Sequence, residues 1–583
     1  MIPRRSIAAL AAWIVAAAAA AASAPEPASR VARGTGGAVA AEEGTAARVG
    51  VEILRRGGTA TDAAVAVAFA LAVTWPEAGN IGGGGFWISR DAATGRLLTI
   101  DFRERAPRAA RRDMFLRPAN GGPAPSSTDG PLASGVPGTV AGLALAHRRG
   151  GRLPWRDVVA PAVRLARDGF AVTENVRDSI ATHKDRLAAD PGTSAIFLPG
   201  GALPRVGAAL KQADLARTLE AIRNRGEDGF YRGELARRIE EDQKRAGGLV
   251  TRGDLALYSA RVGPVVSFRF GKSEVFTTAA PSSGSVLAEI ARIAEAVGLE
   301  KLAAGGATAA HLLAEIEKRT FYDRARFLAD PDFPGVRSDL LGSEERIRRL
   351  AATIDPRRAT PVAALRALES KEGSTTHFSV VDAAGNLVAV TTTLNDSFGN
   401  GRVARGLGFL WNDEMDDFTT RPGEPNAFGV VAGEVNAIAP GKRMLSAMCP
   451  AIALVPGRGA FALGSPGGST IPTTVFQVLF GLAVLGESLE KAVEAPRFHQ
   501  QDYPDLVEIE RGRFDPSFVA ALEEMGHSVK VSTRDPIPGR IGRVHAAAAL
   551  PGGIRLAVAD SRRKGEAIVV RPAPAREAAR KRP

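Results

Sequence analysis

Ser374-Thr375-Thr376-His377-Phe378-Ser379-Val380-Val381-Asp382 is followed, after a short loop, by Gly385 to Thr393 and by the polar cluster Asn395-Asp396-Ser397-Phe398-Gly399-Asn400. A small residue and a hydroxyl pair stand directly ahead of a run rich in β-branched and aromatic residues, the composition of a strand. Were the 374–375 bond to break, Thr375 would own both a hydroxyl nucleophile and a free α-amine. Such an amine titrates at roughly 7.7–8, close to the ideal for a general base near neutrality. A threonine served by its own amine is a recognised way to activate a weak nucleophile.

The chain has 583 residues, enough for one large sandwich or several domains. With 45% hydrophobic and 24% charged residues it reads as globular. The net charge of +12 comes with no zinc finger, helix-turn-helix pattern or basic stripe interleaved with aromatics, which argues against nucleic acid as a partner. Arg4 and Arg5 precede an Ala-rich apolar core, Ala8 to Ala22, and then small residues. This is the pattern of a secretory signal peptide over 1–22, with periplasmic or secreted destination. Cleavage after Ala22 is preferred to cleavage after Ala24, which would leave Pro25 just past the cut. The apolar run is short for a membrane anchor, and no later stretch is long and apolar enough to span a bilayer. The single cysteine, Cys449, lies between Met448 and Pro450 in an apolar run and reads as a buried small residue, so no internal disulfide exists.

Thr45 to Arg56 reads as an amphipathic helix stopped by Gly57-Gly58, and Ala63 to Val73 as a buried helix capped by Thr61 or Asp62. Gly82-Gly83-Gly84-Gly85 leads into a strand, Phe86 to Ser89, with another near Leu97 to Phe102. The glycine run permits close backbone approach; no lysine follows it, and it precedes a strand, so it is no phosphate loop. Residues 130 to 370 read as mainly helical, including Leu215 to Arg225 and Ala309 to Arg324, the latter with Thr308 as N-cap. Asp355 to Ser374 reads as a surface segment, and from 375 on short strands dominate (377–382, 386–393, 451–455, 460–463, 554–559), with helices near 471–485 and 515–526. Residues 571–583 read as a disordered basic tail. The seven histidines show no pair at metal-ligand spacing.

Ser374 to Asn400 resembles the autocleavage region of the γ-glutamyltranspeptidases (glutathione hydrolases). Asp101-Phe102-Arg103-Glu104-Arg105-Ala106-Pro107, Asn412-Asp413-Glu414-Met415-Asp416-Asp417-Phe418, Lys442-Arg443-Met444-Leu445-Ser446 and Gly464-Ser465-Pro466-Gly467-Gly468-Ser469 resemble further stretches of the family, in its order. So do Ala78 to Phe86 and Pro281-Ser282-Ser283-Gly284. The resemblance implies an α+β fold, a four-layer αββα sandwich of the N-terminal-nucleophile hydrolase type, built jointly by a large subunit (23–374) and a small subunit (375–583). It implies Thr375 as nucleophile after cleavage between Ser374 and Thr375, Thr393 as its hydrogen-bonding activator, and the N–H groups of Gly467 and Gly468 as oxyanion hole. Arg103 and Ser446 would hold a glutamyl α-carboxylate, and Asn395, Glu414 and Asp417 the α-ammonium. A cation at one end and anions at the other would select an amino acid joined through its side-chain carbonyl, such as glutathione, with water, an amino acid or a peptide as acceptor. No metal or organic cofactor is implied.

Two positions depart from the pattern. Ser446 is followed by Ala447, where many family members carry a second serine; a lost hydrogen bond to a charged group costs on the order of 1.5–3 kcal/mol. In the lid-like stretch Pro422 to Gly433 the usual tyrosine is Phe428, which keeps an aromatic cover without its hydroxyl contact toward Asn395. These departures keep a glutaryl (cephalosporin) acylase, a poly-γ-glutamate hydrolase and a non-catalytic secreted relative as alternatives. Asp417 and Glu414 argue against the acylase, whose substrate lacks the α-ammonium. A looser gate follows from Phe428: Phe428→Tyr should lower KM for a γ-glutamyl anilide, and unchanged steady-state kinetics would refute this.

Overall fold

The run that opens with Ser374 forms a nine-residue strand, Ser374–Asp382, hydrogen-bonded on one side to Leu387–Asn395 and on the other to Gly37–Ala41, both antiparallel. The computed structural model describes residues 29–119, 121–361, 374–421, 426, 433–533 and 539–571. The signal-peptide reading of 1–22, the lid residue Phe428, most of the segment ahead of Ser374 and all but the first residue of the C-terminal tail lie outside the described residues.

Seven strands make the first sheet, in the order Glu566–Val569, Gly37–Ala41, Ser374–Asp382, Leu387–Asn395, Gly84–Arg90, Leu97–Asp101 and Arg261–Gly263. Seven more make the second: Val31–Gly34, Arg555–Ala559, His545–Ala549, Gly459–Leu463, Ala451–Val455, Ser273–Thr278 and Val265–Phe270. Each of these two sheets takes strands from both sides of residue 375, so neither part of the chain completes either one.

The period-2 alternation of strands sorts the side chains into layers. Ala38, Ala40, Val381, Ala389 and Ala567 of the first sheet meet Ile452, Ala462, Ala547 and Ala557 of the second in one buried cluster. Their alternates, Val39, Phe378, Val380, Val390 and Ile568, face the other way and pack with the helices Gly44–Arg55 and Ala60–Thr74. On the far side, Val275, Ala451, Phe461, Ala546 and Leu556 pack with the helices Gly284–Val297, Gly306–Phe327 and Ile471–Ala483. The result is a four-layer αββα sandwich whose middle layer is filled largely by alanine, small enough to let the sheets lie close.

Several boundaries differ from the sequence reading. The buried helix spans Ala60–Thr74 and is capped by Thr59; Asp62 is the N3 partner of a capping box and also accepts from the N–H groups of Arg152 and Leu153. The long helix starts at Gly306, so Thr308 sits inside the first turn rather than at the cap. The middle of the chain is largely helical but supplies Arg261–Gly263, Val265–Phe270 and Ser273–Thr278 to the sheets. Val265, Val266, Phe268 and Phe270 are β-branched or aromatic, and two waiting sheet edges outweigh any helical tendency there.

The glycine run has a steric cause. A Cβ at Gly83 would lie 2.1 Å from the Thr393 carbonyl oxygen, and one at Gly85 2.3 Å from that of Thr391. The strand beside the candidate nucleophile's partner can therefore approach only without side chains.

A buried clamp ties the C-terminal part to the N-terminal part. The Arg563 guanidinium donates to both carboxylate oxygens of Glu77, at 2.9 and 2.7 Å, and to Asn175 Oδ1, and stacks 4.5 Å from the Trp75 ring. Arg563→Met removes both guanidinium hydrogen bonds from the buried Glu77 carboxylate, and breaking a buried pair costs about 3–5 kcal/mol. Thermal unfolding should show a clearly lowered Tm; a shift within error would refute the clamp.

Candidate active site

Thr375 stands at the head of a central strand with a break in register beside it. Thr375 pairs with Thr393 but Ser374 pairs with Asn395, so a bulge falls at the 374–375 bond. Opposite the bulge, Asn395 adopts φ 85°, the left-handed region, which costs a non-glycine residue about 1–2 kcal/mol. Its own contacts hold it there: the Asn395 N–H donates to Thr393 Oγ1 (2.8 Å) and Nδ2 donates to the Asp413 carbonyl (3.1 Å). Thr375 Oγ1 donates to Thr393 Oγ1 at 3.3 Å. Asn80 braces the same strand from behind, donating from Nδ2 to the Thr393 carbonyl (2.9 Å) and accepting at Oδ1 from Gly83 N–H and Thr139 Oγ1.

Thr375 is only 5% exposed and is reached through a narrow cleft that Thr393, Asn395, Asp417, Ser446 and Gly468 also line. Gly467 (φ 130°) and Gly468 (φ 55°) both occupy positive-φ backbone, and the turn is closed by Thr470, whose N–H and Oγ1 both donate to the Gly467 carbonyl. The N–H groups of the two glycines make no hydrogen bond among the described residues. They are a pair of unspent donors on rigid backbone, the arrangement an oxyanion requires.

His377, two residues along the strand, is no rival base. Its ring is bonded to Thr391 Oγ1 (2.8 Å) and Ser379 Oγ (3.0 Å), and burial, with His545 nearby, holds it well below the usual imidazole range. Cys449 is buried away from reaction, its thiol raised by burial alone.

Arg103 is fully buried and crowded by carboxylates. Its Nη1 lies 3.3 Å from Glu104 and 2.5 Å from Glu414, the latter an ion pair by distance without hydrogen-bond alignment; Nη2 donates to Asp417, and Nε to the Met444 carbonyl (3.2 Å). Burial favours the neutral guanidine, but Glu414, Glu104 and Asp417 together hold Arg103 charged, above its ordinary range. In return burial pushes Glu104 up to about 7 against the pull of Arg103, and raises Glu414 and Asp417. Glu414 is buried against Arg103 and is not a wall of the cleft, whereas Asp417 is. Asn426 Nδ2 donates to Asp417 Oδ1 (3.2 Å). Ser446 Oγ accepts from the Met448 N–H (3.2 Å), and Ala447 lines the cleft beside it.

Three residues that sequence reading passed over belong to this neighbourhood: Asn80, Arg186 and Arg324. Arg186 bonds Asp396 (2.5 Å) and lies 3.9 Å from Asp413, whose carboxyl is raised by burial. Arg186 thereby bridges the two turns that carry Asn395 and Glu414. Arg324 lines the cleft from the helix Gly306–Phe327. The available signal was its place on the helix's inward stripe, after Leu313, Ile316, Glu317 and Thr320, all buried.

Two stacked antiparallel sheets between helical layers, with a hydroxyl nucleophile candidate heading a central strand, constitute an N-terminal-nucleophile hydrolase fold. The cephalosporin acylase structure from Bacillus halodurans superposes with a TM-score of 0.80 at 26% identity, covering 94% of this chain and 98% of that one. The Helicobacter pylori gamma-glutamyltranspeptidase structure matches with a TM-score of 0.53 at 36% identity, over 55% of this chain and 92% of that one. A glutathione hydrolase proenzyme of Escherichia coli is 42% identical over 521 residues, covering 88% of this chain and 90% of that protein. The gamma-glutamyltranspeptidase family model matches residues 46–570, and the chain belongs to that family.

Arg186→Met should slow self-cleavage and turnover by on the order of tenfold or more, since it strands a buried carboxylate under the Asn395 turn. Time-resolved intact mass would read this, and wild-type rates would refute it.

Proposed function

We propose that this chain is a precursor that cleaves itself between Ser374 and Thr375 and then acts as a γ-glutamyl hydrolase and transferase. The observation that carries the reading is Thr375 Oγ1, 3.3 Å from Thr393 Oγ1, at a bulge in a cleft shared with Gly468. Membership of the γ-glutamyltranspeptidase family and the likeness to glutathione hydrolase proenzymes support it.

In maturation Thr375 Oγ attacks the Ser374 carbonyl carbon, the 374–375 C–N bond breaks, and the amide nitrogen leaves as the Thr375 amine, giving an ester that water splits. A large subunit (about 23–374) and a small subunit (375–583) remain associated, held by the interleaved sheets. In turnover the freed amine takes the proton of Thr375 Oγ as it attacks the γ-carbonyl of glutathione or a related compound. The oxyanion is met by the Gly467 and Gly468 N–H groups, each donor worth about 3–4 kcal/mol by analogy. The amine then gives its proton to the leaving nitrogen, and the γ-glutamyl ester passes to water, an amino acid or a peptide. Arg103 and Ser446 on one side, and Asn395 and Asp417 on the other, bind the two charges of the glutamyl group, with Glu414 acting through Arg103. The N-terminal pattern of 1–22 supports export before maturation.

The acylase reading has one observation in its favour, the extent of the Bacillus halodurans superposition. Arg103 and Asp417, a cation and an anion paired side by side on the cleft wall, favour a zwitterionic donor. Wild-type protein should give two fragments, one beginning at Thr375, and should hydrolyse a γ-glutamyl anilide faster than a glutaryl anilide. Thr375→Ala should abolish both cleavage and turnover; a Thr375→Ala chain that still breaks at 374–375 would overturn the scheme.

A further inference from the structure

An incoming α-carboxylate would meet an Arg103 already held by three carboxyl groups, Glu104, Glu414 and Asp417. One guanidinium cannot offer a net positive field against that many oxygens unless some are protonated or move away. The cleft has a second guanidinium in a different condition. Arg324 is 4% exposed, lines the cleft with Thr375 and Ala447, and uses Nε to donate to Ser283 Oγ at 3.2 Å. Its two terminal nitrogens form no hydrogen bond or ion pair with any described residue. Asp417 and Asp502 act on it only through space.

The neighbours of Arg324 say which end of the ligand it serves. Ser283 Oγ, which accepts from Arg324, itself donates to the Ser446 carbonyl at 2.6 Å. Arg324 is thus tied to the Ser446-Ala447 segment, where one hydroxyl donor stands instead of two. Guanidinium N–H groups that face a cleft without a protein partner are ready donors to an anion. The burial that draws its pKa down to about 10 fits a cation waiting for such an anion.

We infer that Arg324 is a specificity-determining residue, whose free N–H fork binds the α-carboxylate of the γ-glutamyl donor and takes the place of the hydroxyl absent at Ala447. The inference rests on the γ-glutamyl reading above. Binding then works as an exchange. The donor's carboxylate bridges Arg324 and the Arg103 side of the cleft, while its ammonium takes Asp417 from Arg103. The pocket is self-paired at Arg103 and unpaired at the Arg324 terminal nitrogens.

The test uses the matured two-subunit enzyme with water as the only acceptor. The substrates are γ-glutamyl-p-nitroanilide and 4-aminobutyryl-p-nitroanilide, which lacks only the α-carboxylate. The ratio of their kcat/KM values reads the carboxylate's contribution. In Arg324→Gln this ratio should fall by about 10–100-fold, the worth of a hydrogen bond to a charged group. Equal losses on both substrates, or an unchanged ratio, would overturn the inference and leave the γ-glutamyl reading standing. A wild-type enzyme that cleaves itself yet ignores γ-glutamyl-p-nitroanilide would overturn both. If Arg324→Gln does not mature, Arg324→Lys, which keeps the charge and loses the fork, is read by the same ratio: a fall supports the role and an unchanged ratio refutes it.

Discussion

The antiparallel pairing of Ser374–Asp382 with Leu387–Asn395 is the constraint on which the site depends. It puts Thr375 opposite Thr393, and it does so at the centre of a sheet, where the strand is flanked on both sides and packed on both faces. A hydroxyl at the head of such a strand has little freedom in direction. The cost of that rigidity appears at the bulge and in the left-handed backbone of Asn395, and it is met by hydrogen bonds that Asn395 donates to Thr393 and Asp413 and, one step further out, by the Arg186–Asp396 bond. Gly83 and Gly85 serve the same pairing by letting the next strand close against it.

The interleaving of the sheets explains how one chain can be cut in its middle without coming apart. Both sheets take strands from before and after residue 375, and the alanine-filled layer between them is common property. The Glu77–Arg563 clamp and the pairing of Glu566–Val569 with Gly37–Ala41 add polar and backbone ties across the same division. Were the 374–375 bond to break, separating the pieces would leave each with fragments of both sheets, with open edges and bare apolar faces.

Electrostatics in the cleft is unevenly distributed. Carboxylates outnumber the guanidinium at Arg103, and burial raises several of them toward protonation. At Arg324 the terminal N–H groups have no described protein partner, and Asp417, Asp502 and Arg103 act on it only through space. A zwitterion with its two charges on one carbon suits a site that offers a removable carboxylate and an unpaired cation across a narrow gap. The alanine at 447 gains a meaning in that setting, because the donor lost from one side of the cleft has a counterpart on another.

Much of the architecture was legible in the residues. The alternation after Thr375, the all-apolar helix ending at Thr74 and the glycine run each have a local physical signature, and each marks an element that the structure contains. Strands such as Gly37–Ala41 and His545–Ala549 were not legible, because runs of alanine carry no periodicity and become strands only by packing in the thin middle layer. The candidate site divides in the same way. Residues in short motifs (Thr375, Arg103, Asp417, Ser446, Gly467 and Gly468) could be named from their order along the chain. Asn80, Arg186 and Arg324 act from a loop and two helices far away in sequence. Asn80 lies in a family-like run without a role of its own there, Arg324 shows only its place on a buried helix stripe, and nothing local distinguishes Arg186 from a surface polar residue. The sequence by itself determined which groups could do chemistry and that a strand would begin beside Thr375, since side-chain type and β-branching are local properties. Only the tertiary structure decided which charges are paired and which are free, because burial and proximity belong to the folded chain and not to any segment of it.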